Sequence, residues 1–174
     1  MSKAFTREDD EVPDDPVGFS PAPMLPPGAK NFLTPDGAQR LRAELDRLAQ
    51  EERPRLASAQ DDLDAKRELQ RLDQRIRYLR LSLVSAEVVP APPPPHEQVR
   101  FGATVTVRDR LGAESRYRIV GVDEIDLERG WVSWLTPLAR ALHQARRGDR
   151  VAFKTPAGPQ ELEIVGIAYE ADAA

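Results

Sequence analysis

Asp61, Asp62 and Asp64 crowd one short run, ASAQDDLDAKRELQ, at residues 57–70. Carboxylates this close can share a divalent cation, position a water or lower the cost of forming hydroxide beside a metal. The same residues also favour the first turn of a helix, where they complement the dipole and bond to free backbone N–H groups. The sequence leaves both roles open. Just beyond, Arg67, Arg71 and Arg75 recur at i, i+4 and i+8, joined by Lys66, Arg77 and Arg80. By itself that stripe reads as a solvated helix flank pairing with Glu44, Glu51 and Glu52. No catalytic triad assembles: His96 lies among prolines, His143 has no nucleophile beside it, and no Gly-rich phosphate loop occurs. The chain is read as no enzyme by itself.

The elements that carry these side chains follow from periodicity. FLTPDGAQRLRAELDRL opens a helix, with Thr34 as N-cap, Pro35 at the first helical position and Asp36 against the dipole. Leu41, Leu45 and Leu48 give a narrow apolar seam, and Pro54 is expected to kink or interrupt it. Leu69, Leu72, Ile76, Leu79 and Leu83 step by 3 and 4 in a heptad seam. Two narrow-seamed helices joined by a short acidic stretch predict an antiparallel coiled-coil hairpin. Arms of about 25 residues would make it about 38 Å long.

Composition bounds the rest. The chain has 174 residues, a net charge of −4 and no cysteine, which excludes disulfides, zinc–thiolate sites and a cysteine nucleophile. Its mild acidity argues against tight independent binding to DNA or RNA. The start, MSKAFTREDDEVPDD, lacks a secretory apolar run and no segment reaches transmembrane length, so a soluble cytoplasmic protein is expected, with no membrane partner. Residues 1–30, acidic and proline-rich, predict a disordered tail. The hairpin is assigned to 31–88 and a proline-rich linker to 89–98. Beyond it, ATVTVRD, SRYRIVGV, RGWVSWL, DRVAFKT and PQELEIVGIAY read as strands, with a short helix at PLARALHQA presenting Leu138, Ala141 and Leu142. Residues 99–170 are thus an α+β domain of mostly antiparallel sheet plus one helix, and 171–174 a tail. Trp131 and Trp134, three apart, predict one core and one exposed indole.

Several runs resemble the Gre transcript-cleavage factors of bacterial RNA polymerase, GreB-like members above all: KNFLTPDGAQRLRAEL, EERP at 51–54, LQRLDQRIRYL, FGATV, IVGVDE, and most specifically VSWLTPLARAL followed by GDRV and KTPAG. The resemblance spans about Lys30 to Tyr169. It implies an FKBP-like carboxy-terminal domain docked at the mouth of the polymerase secondary channel, through Thr136, Pro137, Ala139 and Arg140 and through Asp123 and Glu124. Those last two could equally be a polar turn. It implies a hairpin inside the channel whose acidic tip, here Asp61, Asp62 and Asp64, helps hold the polymerase's second Mg²⁺ while backtracked RNA is cleaved. Lys66, Arg67, Arg71 and Arg75 would face the nascent RNA 3′ end. The factor would carry no cofactor of its own, act as a monomer and meet DNA only through the elongation complex.

One departure matters. The stretch joining the arms is about a dozen residues short of the acidic loop and arm ends in full-length relatives. At helical rise, six residues per arm is about 9 Å. Magnesium demands oxygens at about 2.0–2.1 Å. The tip would then fall short of the metal, making a channel-occupying regulator without cleavage the alternative. Two further classes are a prolyl isomerase, needing a concave pocket from Tyr117, Trp131, Trp134, Phe153 and Tyr169, and an independent DNA binder.

Overall fold

The computed structural model describes residues 25–59 and 62–170. A short strand, β1 (Asn31–Leu33), leads into helix α1 (Pro35–Arg47). Thr34 caps α1, its hydroxyl accepting from the Gly37 N–H at 3.0 Å, and Pro35 takes the first turn. The helix passes into five residues of π-helix, Leu48–Glu52, and then α2 (Arg53–Ala57). Pro54 explains the interruption. It has no N–H to give and its ring would strike the carbonyl four residues back, so the preceding turn widens and Arg53 N–H bonds to Leu48 O instead.

After a turn comes α3 (Leu63–Ser85), the longest helix, and then β2 (Ala86–Val88), which pairs in parallel with β1. Helix α3 packs on both α1 and α2. The order of partners is informative: Arg53 meets Asp73, Glu44 meets Arg75 and Asn31 meets Ser82, so numbers fall on one side as they rise on the other. Leu33, Ala38, Leu41, Leu48, Leu72, Ile76 and Leu79 form the core between them, with Leu45 and Leu83 partly buried against it.

The second core belongs to a five-stranded sheet. Its strands are β3 (Ala103–Arg108), β4 (Glu114–Val120), β5 (Trp131–Ser133), β6 (Arg150–Thr155) and β7 (Gly158–Tyr169), in the order β5-β4-β3-β7-β6. All neighbours are antiparallel except β4 and β5. Val105, Val107, Ile119 and Ile164 point to one face, where the short helix α4 (Pro137–Leu142) contributes Ala139 and Leu142. The protein is therefore α+β, as the patterning predicts. On α4 the buried residues are Ala139 and Leu142, with Ala141 only half covered, because the helix is a turn and a half long and its cap geometry sets which side faces the sheet. Residues 1–24, Gln60, Asp61 and 171–174, and with them most of the expected tails, lie outside the described residues. Among the described residues no helix is long and apolar enough to cross a membrane.

Candidate functional site

The acidic run is resolved into separate roles. Asp62 is the N-cap of α3, its Oδ1 accepting from the Asp64 N–H at 3.0 Å. Asp64 stands in the first turn, its side chain 87% exposed and 3.5 Å from Arg67. Asp61 lies outside the described residues. No group of three ligand-type side chains forms among the described residues. The cap function is thus occupied by Asp62, while Asp64 keeps both oxygens accessible to solvent.

The basic stripe is divided as well. Arg75 forks onto Glu44, with Nε to Oε1 at 2.8 Å and Nη2 to Oε2 at 3.0 Å, so it braces the two helices. Lys66, Arg67 and Arg71 are exposed, and of these only Arg67 has an ion pair among the described residues. Lys66, Arg77 and Arg80 line an open cleft along α3, together with Arg53. Arg53 is held by Asp73 at 2.7 Å, while Lys66, Arg77 and Arg80 have no ion pair among the described residues.

At the other end, Asp123 and Glu124 lie in a short 3-10 turn with their carboxylates directed inward. Glu124 is 3% exposed. Its Oε2 accepts from the N–H groups of Thr34 at 2.9 Å and Gly121 at 3.1 Å, while Thr34's hydroxyl donates to Oε1. Arg40 adds charge 3.6 Å away. Asp123 accepts from the hydroxyls of Tyr78 and Ser82 on α3. Burial, and then the bond to Asp123, push the Tyr78 phenol well above its usual range. Each carboxylate therefore ties the sheet domain to the helical pair. Gly37 is part of the same fit, because a Cβ there would collide with the Glu124 carboxylate. Phe32 completes the junction, its ring 5.5 Å from Phe101 and 5.0 Å from Trp134. Nothing in local sequence marks Thr34 and Glu124 as partners, since they are 90 positions apart.

The TPLARAL run divides likewise. Thr136 caps α4, accepting from Ala139 N–H at 3.2 Å and donating to Ser133 O at 2.8 Å. Pro137 and Arg140 are exposed. Ala139, 2% exposed, belongs to the core and cannot itself meet a partner. Arg140 and His143 border a cleft of about 950 Å³ walled by Phe32, Phe101, Trp134 and the linker prolines. Trp134 is half-buried there, and Trp131 is half-buried elsewhere under three guanidinium groups, so neither indole is simply core or simply exposed. The aromatic set expected of an isomerase pocket is dispersed: Trp134 reaches the cleft, while Tyr117 packs against the sheet core.

A helical pair with a capped acidic turn, clasped by carboxylates to an α+β sheet domain whose short helix starts with exposed Pro137 and Arg140, defines a protein of two joined cores. The description "Transcription elongation factor, GreA/GreB, C-term" matches residues 94–169. Transcription elongation factor GreB of Neisseria meningitidis is 40% identical over 154 residues, covering 80% of this chain and 94% of that protein. GreB of Pseudomonas aeruginosa is 39% identical over 151 residues, covering 79% and 90%. A GreA/GreB factor from Nitrosomonas europaea superimposes loosely, with 26% identity, coverage of 80% and 100% and a TM-score of 0.40. The chain belongs to the GreA/GreB family of transcription elongation factors and is GreB-like.

Proposed function

We propose that this factor binds bacterial RNA polymerase at its secondary channel and promotes rescue of backtracked elongation complexes. An FKBP-like domain, residues 99–170, docks at the channel rim through the α4 start, with Pro137 and Arg140 as its accessible contacts. The antiparallel hairpin, residues 31–88, enters the channel, and the linker 89–98 joins the two. The polymerase performs the hydrolysis with its own Mg²⁺. Asp61, Asp62 and Asp64 are the tip carboxylates; of the two described, Asp64 has the freer side chain, since Asp62 Oδ1 is engaged as a cap. Lys66, Arg67 and Arg71 approach the nascent RNA 3′ end, and DNA is met only within the complex. The factor works in the bacterial cytoplasm as a monomer without a cofactor of its own. The observation that carries this reading is the 40% identity to GreB over nearly all of that protein.

A second reading is supported by arm length. Helix α3 has 23 residues, a rod of about 35 Å. The 154 aligned positions also exceed the 80% of this 174-residue chain that falls within them, so the relative has positions with no counterpart here. On this reading the factor occupies the channel without reaching the metal and competes with full-length cleavage factors. Transcript cleavage by backtracked complexes of the cognate polymerase separates the two. Cleavage that Asp61→Asn/Asp64→Asn abolishes supports the first. Competition for polymerase without cleavage supports the second, and absence of any binding to polymerase refutes both.

A further inference from the structure

The outer face of the sheet holds a guanidinium cluster, Arg116, Arg118 and Arg129, to which Arg40 is added from α1. Register builds it. Trp131, Arg118, Thr104 and Ala168 form one row across β5, β4, β3 and β7, and Arg116 pairs with Thr106 in the next row. Residues two apart on a strand share a face, so Arg116 and Arg118 lie on the face opposite Val105, Val107 and Ile119. The loop before β5 folds over them. Gly130, at φ +72°, allows it to approach β4 so closely that a Cβ would strike the Arg116 carbonyl, and Arg118 N–H bonds to Gly130 O at 3.0 Å. Trp131 thereby becomes a platform with the guanidinium groups of Arg118 at 4.8 Å, Arg40 at 4.8 Å and Arg129 at 5.3 Å from its ring.

Arg118 is unusual in this setting. It is 6% exposed, yet its Nε has no acceptor among the described residues. Its Nη1 lies 2.6 Å from Glu170 Oε2, a charge contact too misaligned to make a hydrogen bond. Each unsatisfied buried donor costs about 1–3 kcal/mol. The Glu170 side chain is itself 59% exposed. Arg40 and Arg129 have carboxylates of their own, Asp36 and Asp126, at 3.2 and 3.3 Å, and Arg40 also faces Glu124. Arg116 is exposed and has no ion pair among the described residues. Arg116, Arg118, Arg129, Trp131, Thr104 and Glu170 enclose a hollow of about 240 Å³. That is below the size of a site for a drug-sized molecule and suits a small anion, or one carried by something larger outside.

The geometry points to a phosphate-binding site, with Arg118 as its buried anchor, Arg116 as its outer arm and the Glu170 carboxylate as a placeholder that the phosphate displaces. Planar guanidinium groups match phosphate oxygens two at a time, and a phosphate brings more acceptors than the single misaligned oxygen now present. The phosphate could arrive on a free phosphorylated small molecule or in a nucleic-acid backbone; the recognition chemistry is shared.

The test titrates the isolated full-length protein at low salt with pyrophosphate and, separately, with a short single-stranded oligonucleotide, following calorimetry and tryptophan fluorescence. At least one probe is expected to saturate one-to-one. Arg116→Ala should weaken it about tenfold, the value of one charge-assisted contact. Glu170→Gln should tighten it by removing the internal competitor. Arg116 is exposed, so Arg116→Ala should melt as the wild type does; Glu170→Gln takes a counter-charge from buried Arg118, so its titration is run at a temperature where circular dichroism shows it fully folded. Binding of pyrophosphate alone identifies a free phosphorylated ligand, and binding of the oligonucleotide alone identifies a backbone phosphate. If neither probe saturates up to millimolar concentration, or if either substitution leaves the affinity unchanged, the site is overturned.

Discussion

Glu124 decides more about this molecule than its place in a polar-looking turn suggests. Three donors converge on a side chain that is fully removed from solvent. Truncating a buried charge partner leaves its donors orphaned, so Glu124→Ala should lower stability by about 3–5 kcal/mol in denaturant titration. Tyr78 gives a pH signature. Its phenol is held neutral in the fold, so the folded state keeps a proton that the unfolded chain releases near pH 10. Stability should be intact below about pH 10 and fall as pH rises beyond it, and Tyr169, raised by burial, adds to the same slope. Tyr78→Phe should flatten that fall in melts taken across the alkaline range. In sequence, Asp123 and Glu124 offered a choice between rim and turn. What fixes them is contact with Thr34, Tyr78 and Ser82, which no local pattern encodes.

Among the elements, the helices were the most legible. Leu72, Ile76 and Leu79 sit at heptad spacing and are buried, and Thr34-Pro35 and Thr136-Pro137 both open helices as their chemistry requires. Leu79 is fully buried between the helices, so Leu79→Ala should cost about 2–5 kcal/mol, read as a lowered melting midpoint. Pro54 was legible as an interruption but not as a π-turn, because sequence says that a bond is lost and not how the chain closes the gap. Pro54→Ala restores the missing N–H, and far-ultraviolet circular dichroism should rise if the turn relaxes to α-helix. Strands β1 and β2 carry only three residues each, too few for a period to be seen. Strands β3, β4, β6 and β7 of the larger sheet were legible because their runs are long enough to alternate, whereas the half-buried state of both tryptophans depends on Phe32 and Arg118 arriving from elsewhere.

At the scale of the whole molecule, the two cores are joined through the carboxylates, the Phe32 ring and Arg40. Replacing Asp123 and Glu124 together with Asn and Gln removes the charge from both ties. Calorimetry of that variant should resolve two unfolding transitions where the wild type gives one, since each part has a core of its own. The parallel pairing of β1 with β2 has a mechanical consequence. The chain enters the helical section at Asn31–Leu33 and leaves at Ala86–Val88 on adjacent strands running the same way. A tension applied between Lys30 and Val89 pulls those strands past each other, so the rungs bear load together instead of opening one by one like a zipper. Forces that separate the two ends of the helical section are thus met in shear, the orientation in which a short ladder best resists tearing.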